Sequence, residues 1–251
     1  MRLSKESRKS KIIEFLSEHE TLTITSIAKL LEVSEMTVRR YLKELEDDGI
    51  VLGTNNGYML MDNITTELPF FKKQLVKVDE KKEIAIKALS FIKPNDHIFL
   101  DAGTTTFELA KLLKDVNFPL TIATNDIKSS SILVDSHHTV ILTGGIIQNN
   151  VGSMYGVHTI KYLEESKFDI SFVATEAVFD GSIYAPTREK AFIKKLMIDS
   201  GYSSYLLVDD SKFDRYSYSK IASLDKFDGI VVNSELDGAT KNYIQQFTKV
   251  I

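Results

Sequence analysis

From residue 98 onward the chain alternates between short apolar runs and amphipathic stretches, and this constrains the fold more than any other feature. Runs suited to strands fall near 98–101, 120–124, 139–143, 169–174, 204–209 and 229–233. Stretches with helical spacing fall near 105–114, 126–134, 156–165, 187–200 and 237–247. Such alternation predicts an α/β domain with a mostly parallel sheet and helices on its faces. Its first unit is the sharpest. Ile98, Phe99 and Leu100 form a buried-strand run, and Asp101 stands at the strand's carboxyl end. Gly103 is expected to supply a backbone angle other residues avoid. Thr104, Thr105 and Thr106 open a helix whose apolar face is Phe107, Leu109, Ala110 and Leu113. A helix start offers free N–H groups and a positive dipole end, and added hydroxyls suit it to phosphate. The plainer reading of the same residues is that Thr104 or Thr105 only caps the helix.

The N-terminal part has a different pattern. Ile12, Ile13, Phe15 and Leu16 mark a helix from about Ser10, broken at His19-Glu20. A second helix starts near Thr25 and carries Ile27, Leu30 and Leu31 inward. After a turn at Glu32-Val33, Ser34 is placed as the N-cap of a third helix running to about Asp48, with Gly49 as its stop. Val38, Leu42 and Leu45 set its buried face. Two short strand-like pieces then flank Asn56-Gly57, a hairpin signal. Three helices and a two-stranded wing make a winged helix-turn-helix. In that motif the second helix enters the major groove with its first residues at the base edges, here Ser34, Glu35, Met36 and Thr37. Arg39, Arg40 and Lys43 are left on flanking surface, suited to phosphates or guanine edges. A helical protein-interaction module with a solvated arginine pair is the competing reading. Residues 1–62 hold nine Lys or Arg and eleven Asp or Glu, a net of −2. The signs are segregated, as a one-sided DNA face requires.

The divisions that follow are a winged helix-turn-helix over 1–62, a linker over 63–78 and an α/β domain over 79–251. The linker shows no clear period, and Asp79 caps the next helix, which contains Ile84, Ala88 and Phe91 and ends at Pro94. The chain has no cysteine, which excludes disulfides and thiolate metal sites. No apolar run approaches the roughly 20 residues a membrane span needs, and the polar N-terminus lacks a signal-peptide core. A cytoplasmic protein with no membrane partner is expected.

Several other strand ends carry polar residues: Thr124-Asn125, Thr143-Gly144-Gly145, Thr175-Glu176 and Asp209-Asp210-Ser211-Lys212. Ligands of open α/β sheets bind along that edge.

The segment Leu31-Glu-Val-Ser-Glu-Met-Thr-Val-Arg-Arg-Tyr-Leu-Lys-Glu-Leu45 resembles the helix-turn-helix signature of the DeoR family of bacterial transcriptional regulators, and the likeness extends over essentially the whole chain. Asp101 to Thr106, the Glu189-containing helix and Asp209-Asp-Ser-Lys212-Phe match that family's sensor domain, whose fold is related to ribose-5-phosphate isomerases. The resemblance implies a phosphorylated sugar as effector. Phosphate would lie on Gly103, Thr104, Thr105 and Thr106, and sugar hydroxyls on Asp101, Asn125, Gly144 and Gly145. Thr124, Glu189 and Lys212 complete the candidate set; Lys194 reads equally as a ligand partner or a surface residue. Three positions depart from the family: Tyr41 stands where Asp is usual, Asn55-Asn-Gly-Tyr58 replaces a His-Gly-Gly-Ala wing, and Thr175-Glu176-Ala177 replaces a small residue, Asp and Gly.

The implied function is a repressor of a sugar uptake or catabolism operon, acting on double-stranded operator DNA as a dimer or tetramer. The alternative is an isomerase-like enzyme in which Asp101, Glu176, Glu189 or Lys212 shuttles a proton; a DNA-binding head gives such an enzyme no advantage, so no catalytic residue is assigned. No cofactor or metal is expected, since His137 and His138 are sequence neighbours and His19, His97 and His158 are scattered.

Overall fold

The computed structural model describes residues 5–19, 21–47, 50–54, 57–60 and 69–251. The chain divides into two compact units, Met1–Lys77 and Val78–Ile251. The expected stop at Gly49, the turn residues Asn55 and Asn56, and the first part of the expected linker lie outside the described residues.

In the first unit α1 (Lys5–Glu18), α2 (Ile24–Leu31) and α3 (Glu35–Asp47) precede the antiparallel pair β1 (Val51–Thr54) and β2 (Gly57–Leu60). A short helix, α4 (Phe70–Gln74), follows within the stretch read as linker. Helix α1 starts earlier than Ser10, which instead lies mid-helix with its hydroxyl bonded to the Glu6 carbonyl at 2.9 Å. Helix α2 starts one residue before Thr25, because Thr23 accepts from the Ser26 N–H at 3.1 Å and caps it. Ser34 accepts from the Thr37 N–H at 3.3 Å at the head of α3. Ile12, Leu16, Ile27, Leu31, Val38, Leu42 and Leu45 close one core, and Ile50 and Val51 bring the wing onto it. Leu22 exchanges backbone bonds with Tyr58 at 2.8 and 2.9 Å, which ties β2 to the segment before α2. Gly57 has φ +131°, and a Cβ there would lie 2.5 Å from the Leu22 carbonyl oxygen, so this contact requires glycine.

The second unit begins with α5 (Val78–Leu89), one residue before the expected cap Asp79, which instead bonds Lys82 at 3.0 Å within the first turn. It continues with β3 (His97–Leu100), α6 (Thr104–Leu113), β4 (Thr121–Thr124), α7 (Ile127–Leu133) and β5 (Thr139–Leu142). A small hairpin, β6 (Ile146–Ile147) and β7 (Met154–Tyr155), leads to α8 (Val157–Glu164) and β8 (Phe168–Ala174). Then come β9 (Ala177–Phe179), β10 (Ser182–Ala185), α9 (Arg188–Ser200), β11 (Gly201–Leu207), β12 (Ser219–Ser223), β13 (Gly229–Val231) and α10 (Gly238–Ile244). The six expected strands form one parallel sheet in the order β13-β11-β8-β3-β4-β5. Alternate residues of β3 feed opposite faces, as strand geometry demands. Ile98 and Leu100 meet Ile84, Ala88, Leu109 and Leu113 of α5 and α6 on one side. Phe99 meets the core that includes Ile193 and Met197 of α9 on the other. The second, antiparallel sheet β12-β10-β9 and the β6–β7 hairpin were not expected from periodicity, because most of their strands are too short to show it.

Candidate functional site

In the main sheet, chain order reverses between β3 and β8. From β3 the chain steps to β4 and β5; from β8 it steps the other way to β11 and β13. Such a reversal leaves a crevice between adjacent strand ends, the usual ligand position in open α/β sheets. Asp101 follows β3 and Ala174 ends β8, so both stand at this crevice.

Asp101 is 1% exposed. Its Oδ2 accepts from the Ala174 N–H at 2.9 Å and from the Lys194 ammonium. Lys194 rises from α9, is itself buried, and also donates to the Ala174 carbonyl at 2.9 Å. One ion pair therefore knots β3, β8 and α9 together. Within the described residues the Asp101 Oδ1 is left unbonded. Asn125, following β4, accepts the Ala102 N–H at 3.0 Å and donates to the Met154 carbonyl at 3.1 Å. Its own carbonyl accepts from the Met154 N–H at 2.6 Å. Asn125 thus fastens strand β7 to the loop after β3. A small, open cavity lies here, lined by Asp101, Ala102, Asn125, Ser153, Met154, Tyr155, Lys190, Ile193 and Lys194.

Helix α6 starts at the same loop. Its N-cap is Gly103 rather than a threonine, and no side chain caps its first turn. The Gly103 backbone is extended (φ −169°), so the expectation of a special backbone angle is corrected. Space is the reason for glycine: a Cβ would lie 2.9 Å from the Ala174 Cβ. Thr104 and Thr105 are nearly buried. The Thr106 hydroxyl donates to the carbonyls of Asp101 (2.6 Å) and Gly103 (2.9 Å), holding the loop in shape. Thr124 is fully buried and donates to the Leu100 carbonyl at 2.7 Å.

The other candidates stand elsewhere. Gly144 (φ +75°) and Gly145 (φ +116°) turn the chain from β5 into β6, and neither lines the cavity. Glu189 is exposed in the first turn of α9. Lys212 is half-buried and pairs with Glu176 at 3.5 Å. Sequence reasoning left Lys194 undecided and missed Lys190, Ile193, Ser153, Met154 and Tyr155. One signal was available: Lys190, Ile193, Lys194 and Met197 share the i, i+3, i+4, i+7 stripe of α9, which places two lysines on its inward face.

Asp126 caps α7 beside this site, accepting from the Lys128 N–H (3.2 Å), the Ser129 N–H (3.1 Å) and the Ser129 hydroxyl (2.7 Å). Burial pushes its carboxyl above the ordinary range, while the bonds from Ser129 and Lys128 pull the other way. A carboxyl raised in the folded state contributes most below its unfolded pKa, and the contribution is lost as pH rises through the folded value. Asp126→Asn removes that titration. The melting temperature of the variant minus that of the parent is expected to climb as pH rises upward from the ordinary carboxylate range. A difference that stays flat above this range contradicts the assignment.

In the first unit, α3 turns Val38 and Leu42 fully inward and leaves Met36 79% exposed. Ser34, Arg39, Arg40 and Lys43 are exposed, and Glu35 and Thr37 half-exposed. Glu35 accepts from the Thr25 hydroxyl at 2.7 Å and from Arg39 at 3.3 Å. Tyr41 is a core residue. The Arg8 guanidinium beside its hydroxyl holds the phenol below its ordinary pKa against the effect of burial, with Arg40 helping. Arg40 also lies over the Tyr41 ring at 5.2 Å. Lys5 (2.9 Å) and Lys9 both pair with Glu44, which holds that carboxyl below its usual range, Lys9 having the larger part.

Among the described residues no group of three or more His, Asp or Glu side chains is arranged to hold a metal ion, and no helix is long and apolar enough to cross a membrane. Residues 76–234 match the family model described as the DeoR C terminal sensor domain, and residues 8–59 match a model described as an HTH domain. The chain is 32% identical over 252 residues to the lactose phosphotransferase system repressor of Lactococcus lactis, covering 99% of each protein. It is 28% identical to the HTH-type transcriptional regulator GlpR of Haloferax volcanii, covering 95% of this chain and 93% of that protein. It is 29% identical to an uncharacterized HTH-type transcriptional regulator of Haemophilus influenzae, covering 91% and 90%. Overlap with the solved ribose 5-phosphate isomerase A of Methanocaldococcus jannaschii is slight, with a TM-score of 0.41 at 15% identity over 55% of each chain.

Proposed function

We propose, since the chain belongs to the DeoR family of helix-turn-helix transcriptional regulators with a C-terminal sensor domain, that it represses a sugar uptake or catabolism operon and is released by a phosphorylated sugar. The observation that carries the reading is the Asp101 crevice. There a buried carboxylate with one free oxygen stands beside a buried ammonium and an uncapped helix start. A sugar phosphate presents the matching groups: hydroxyls for Asp101 Oδ1 and Asn125, and a phosphate for the first turn of α6 over Gly103 to Thr106. Gly144, Gly145, Thr124, Glu189 and Lys212 surround this reading without being needed for it. In the head, Ser34 to Thr37 meet base edges while Arg39, Arg40 and Lys43 meet phosphates. Support for repression and for sugar control comes from the Lactococcus relative, whose name states both a repressor and a lactose system. The effector acts through the difference in its affinity for the operator-competent and released states.

A melting-temperature screen against ketose, aldose and alditol phosphates tests this, with inorganic phosphate and the unphosphorylated sugars as separate arms. A ligand at about a hundred times its Kd adds about 2.7 kcal/mol, which for a domain of this size raises the melting temperature by roughly 5–10 °C. The same compound is expected to weaken salt-dependent binding to operator DNA. If no sugar phosphate raises the melting temperature, the effector assignment fails. If DNA binding is absent, the regulator reading fails with it.

A further inference from the structure

The outward face of α3 follows from the period that buries its inner one. At about 100° per residue, Val38, Tyr41, Leu42 and Leu45 gather on the core side. Met36, Arg39, Arg40 and Lys43 take the i, i+3, i+4, i+7 spacing on the opposite side, and all four are exposed. Three of them are cations. The fourth is an unbranched apolar side chain, 79% exposed. On an ordinary surface such a residue needs no explanation. Met36 stands instead in the first turn of the helix that a helix-turn-helix fold carries into the major groove. Its neighbours there are engaged with the protein itself. The Ser34 and Thr37 hydroxyls bond each other at 2.9 Å, and Ser34 also accepts from the Thr37 N–H. Glu35 uses both carboxylate oxygens: Oε1 accepts from the Thr25 hydroxyl at 2.7 Å and Oε2 from Arg39 at 3.3 Å. The start of α3 is thereby tied to the first turn of α2.

We propose, on the basis of the regulator reading above, that Met36 reads a thymine of the operator, its thioether end packing against the thymine C5-methyl group. Among the four bases only thymine presents a methyl group in the major groove; the other features of the base edges there are hydrogen-bond donors and acceptors. A methionine has no donor and only a weak acceptor, so the methyl group is the feature it can recognise. Its flexible, polarizable side chain adapts to such a contact without a fixed rotamer. Arg39, Arg40 and Lys43 on the same face fit a polyanion, which favours DNA over an apolar protein groove as the occupant. Glu35 is then a positioning residue. A free carboxylate at this place would accept from cytosine N4. With both oxygens held by Thr25 and Arg39, Glu35 fixes the helix start and leaves the reading to Met36.

The full chain supplies the probe for the test by selecting a duplex from a random-sequence pool. Each thymine of the selected duplex is then replaced in turn by uracil, which removes one methyl group and keeps the hydrogen-bonding edges. At one thymine in each half-site, the parent chain is expected to bind the uracil duplex about fourfold more weakly, the value of one buried methyl group. Met36→Ala is expected to bind the thymine duplex more weakly and to lose the difference between thymine and uracil. Its melting temperature should match the parent's, because the position is outside the core. Met36→Leu, which keeps an apolar side chain, is expected to retain the difference. A parent chain indifferent to uracil at every thymine overturns the proposal. So does a Met36→Ala variant with the parent's sensitivity at the same thymine, or a Met36→Leu variant that loses it. Each of these results leaves DNA binding in place, so the regulator reading survives them. A parent chain that selects no duplex overturns both.

Discussion

Replacing Asp101 with alanine is expected to destabilise the sensor domain by about 3–5 kcal/mol, because it leaves the buried Lys194 ammonium with only the Ala174 carbonyl. For a domain of this size that is a fall of roughly 10 °C or more in melting temperature. Lys194→Met, the reciprocal change, leaves a buried carboxylate facing one N–H and should cost a similar amount. The double variant Asp101→Ala/Lys194→Met removes both charges together. Buried pairs replaced as a unit are often neutral or stabilising, so most of the lost stability should return. The cycle therefore predicts strong non-additivity, with a coupling of about 1–3 kcal/mol or larger. Effector binding should stay lost in all three variants, since Asp101 Oδ1 and the Lys194 charge are gone or misplaced. Additive losses would mean that the two side chains do not depend on each other. Full effector response in the double variant would remove the pair from the site.

The parallel sheet was legible because each strand is a buried apolar run followed by a helix with its own period. Asp101 and Asn125 were legible for a related reason: a polar residue directly after such a run must stand at the strand's carboxyl edge. Lys194 was harder. Its charge suggests surface, and only the helical spacing with Ile193 and Met197 tells that α9 turns it inward. The β9–β10 hairpin carried a readable signal, Asp180-Gly181, with both residues at positive φ (43° and 64°) in a two-residue turn. Strands of three and four residues show almost no period, so periodicity alone does not mark this hairpin. Ser153 to Tyr155 gave no such cue. They reach the cavity through the Asn125 bonds to Met154, a contact across 29 positions that no local pattern encodes. Tyr41 shows how a departure from a family pattern can be explained by packing. The residue is 2% exposed, so its ring completes the head's core while its hydroxyl meets Arg8.

Leu42→Ala and Arg40→Ala are expected to abolish or weaken operator binding for different physical reasons. Leu42 is fully buried between the helices of the head. Its truncation should cost about 2–5 kcal/mol, from lost burial and the cavity left behind. A domain below about 70–80 residues rarely has more than 3–5 kcal/mol from its core. The variant head should therefore be largely unfolded at 37 °C. Amides across α1 to α3 should lose their protection from hydrogen exchange while those of β3, β8 and β11 keep theirs. Operator binding should disappear at every salt concentration, and a sugar phosphate should still raise the melting temperature of the sensor. Arg40 is exposed and lies over Tyr41 without filling the core. Arg40→Ala should leave exchange protection intact and reduce the salt dependence of DNA binding by about one unit of slope, as loss of one phosphate contact does. The contrast separates folding from contact. If Leu42→Ala also erased protection in the sensor, the two compact units would unfold as one. If Arg40→Ala left the salt slope unchanged, α3 would not be the face that meets the phosphates.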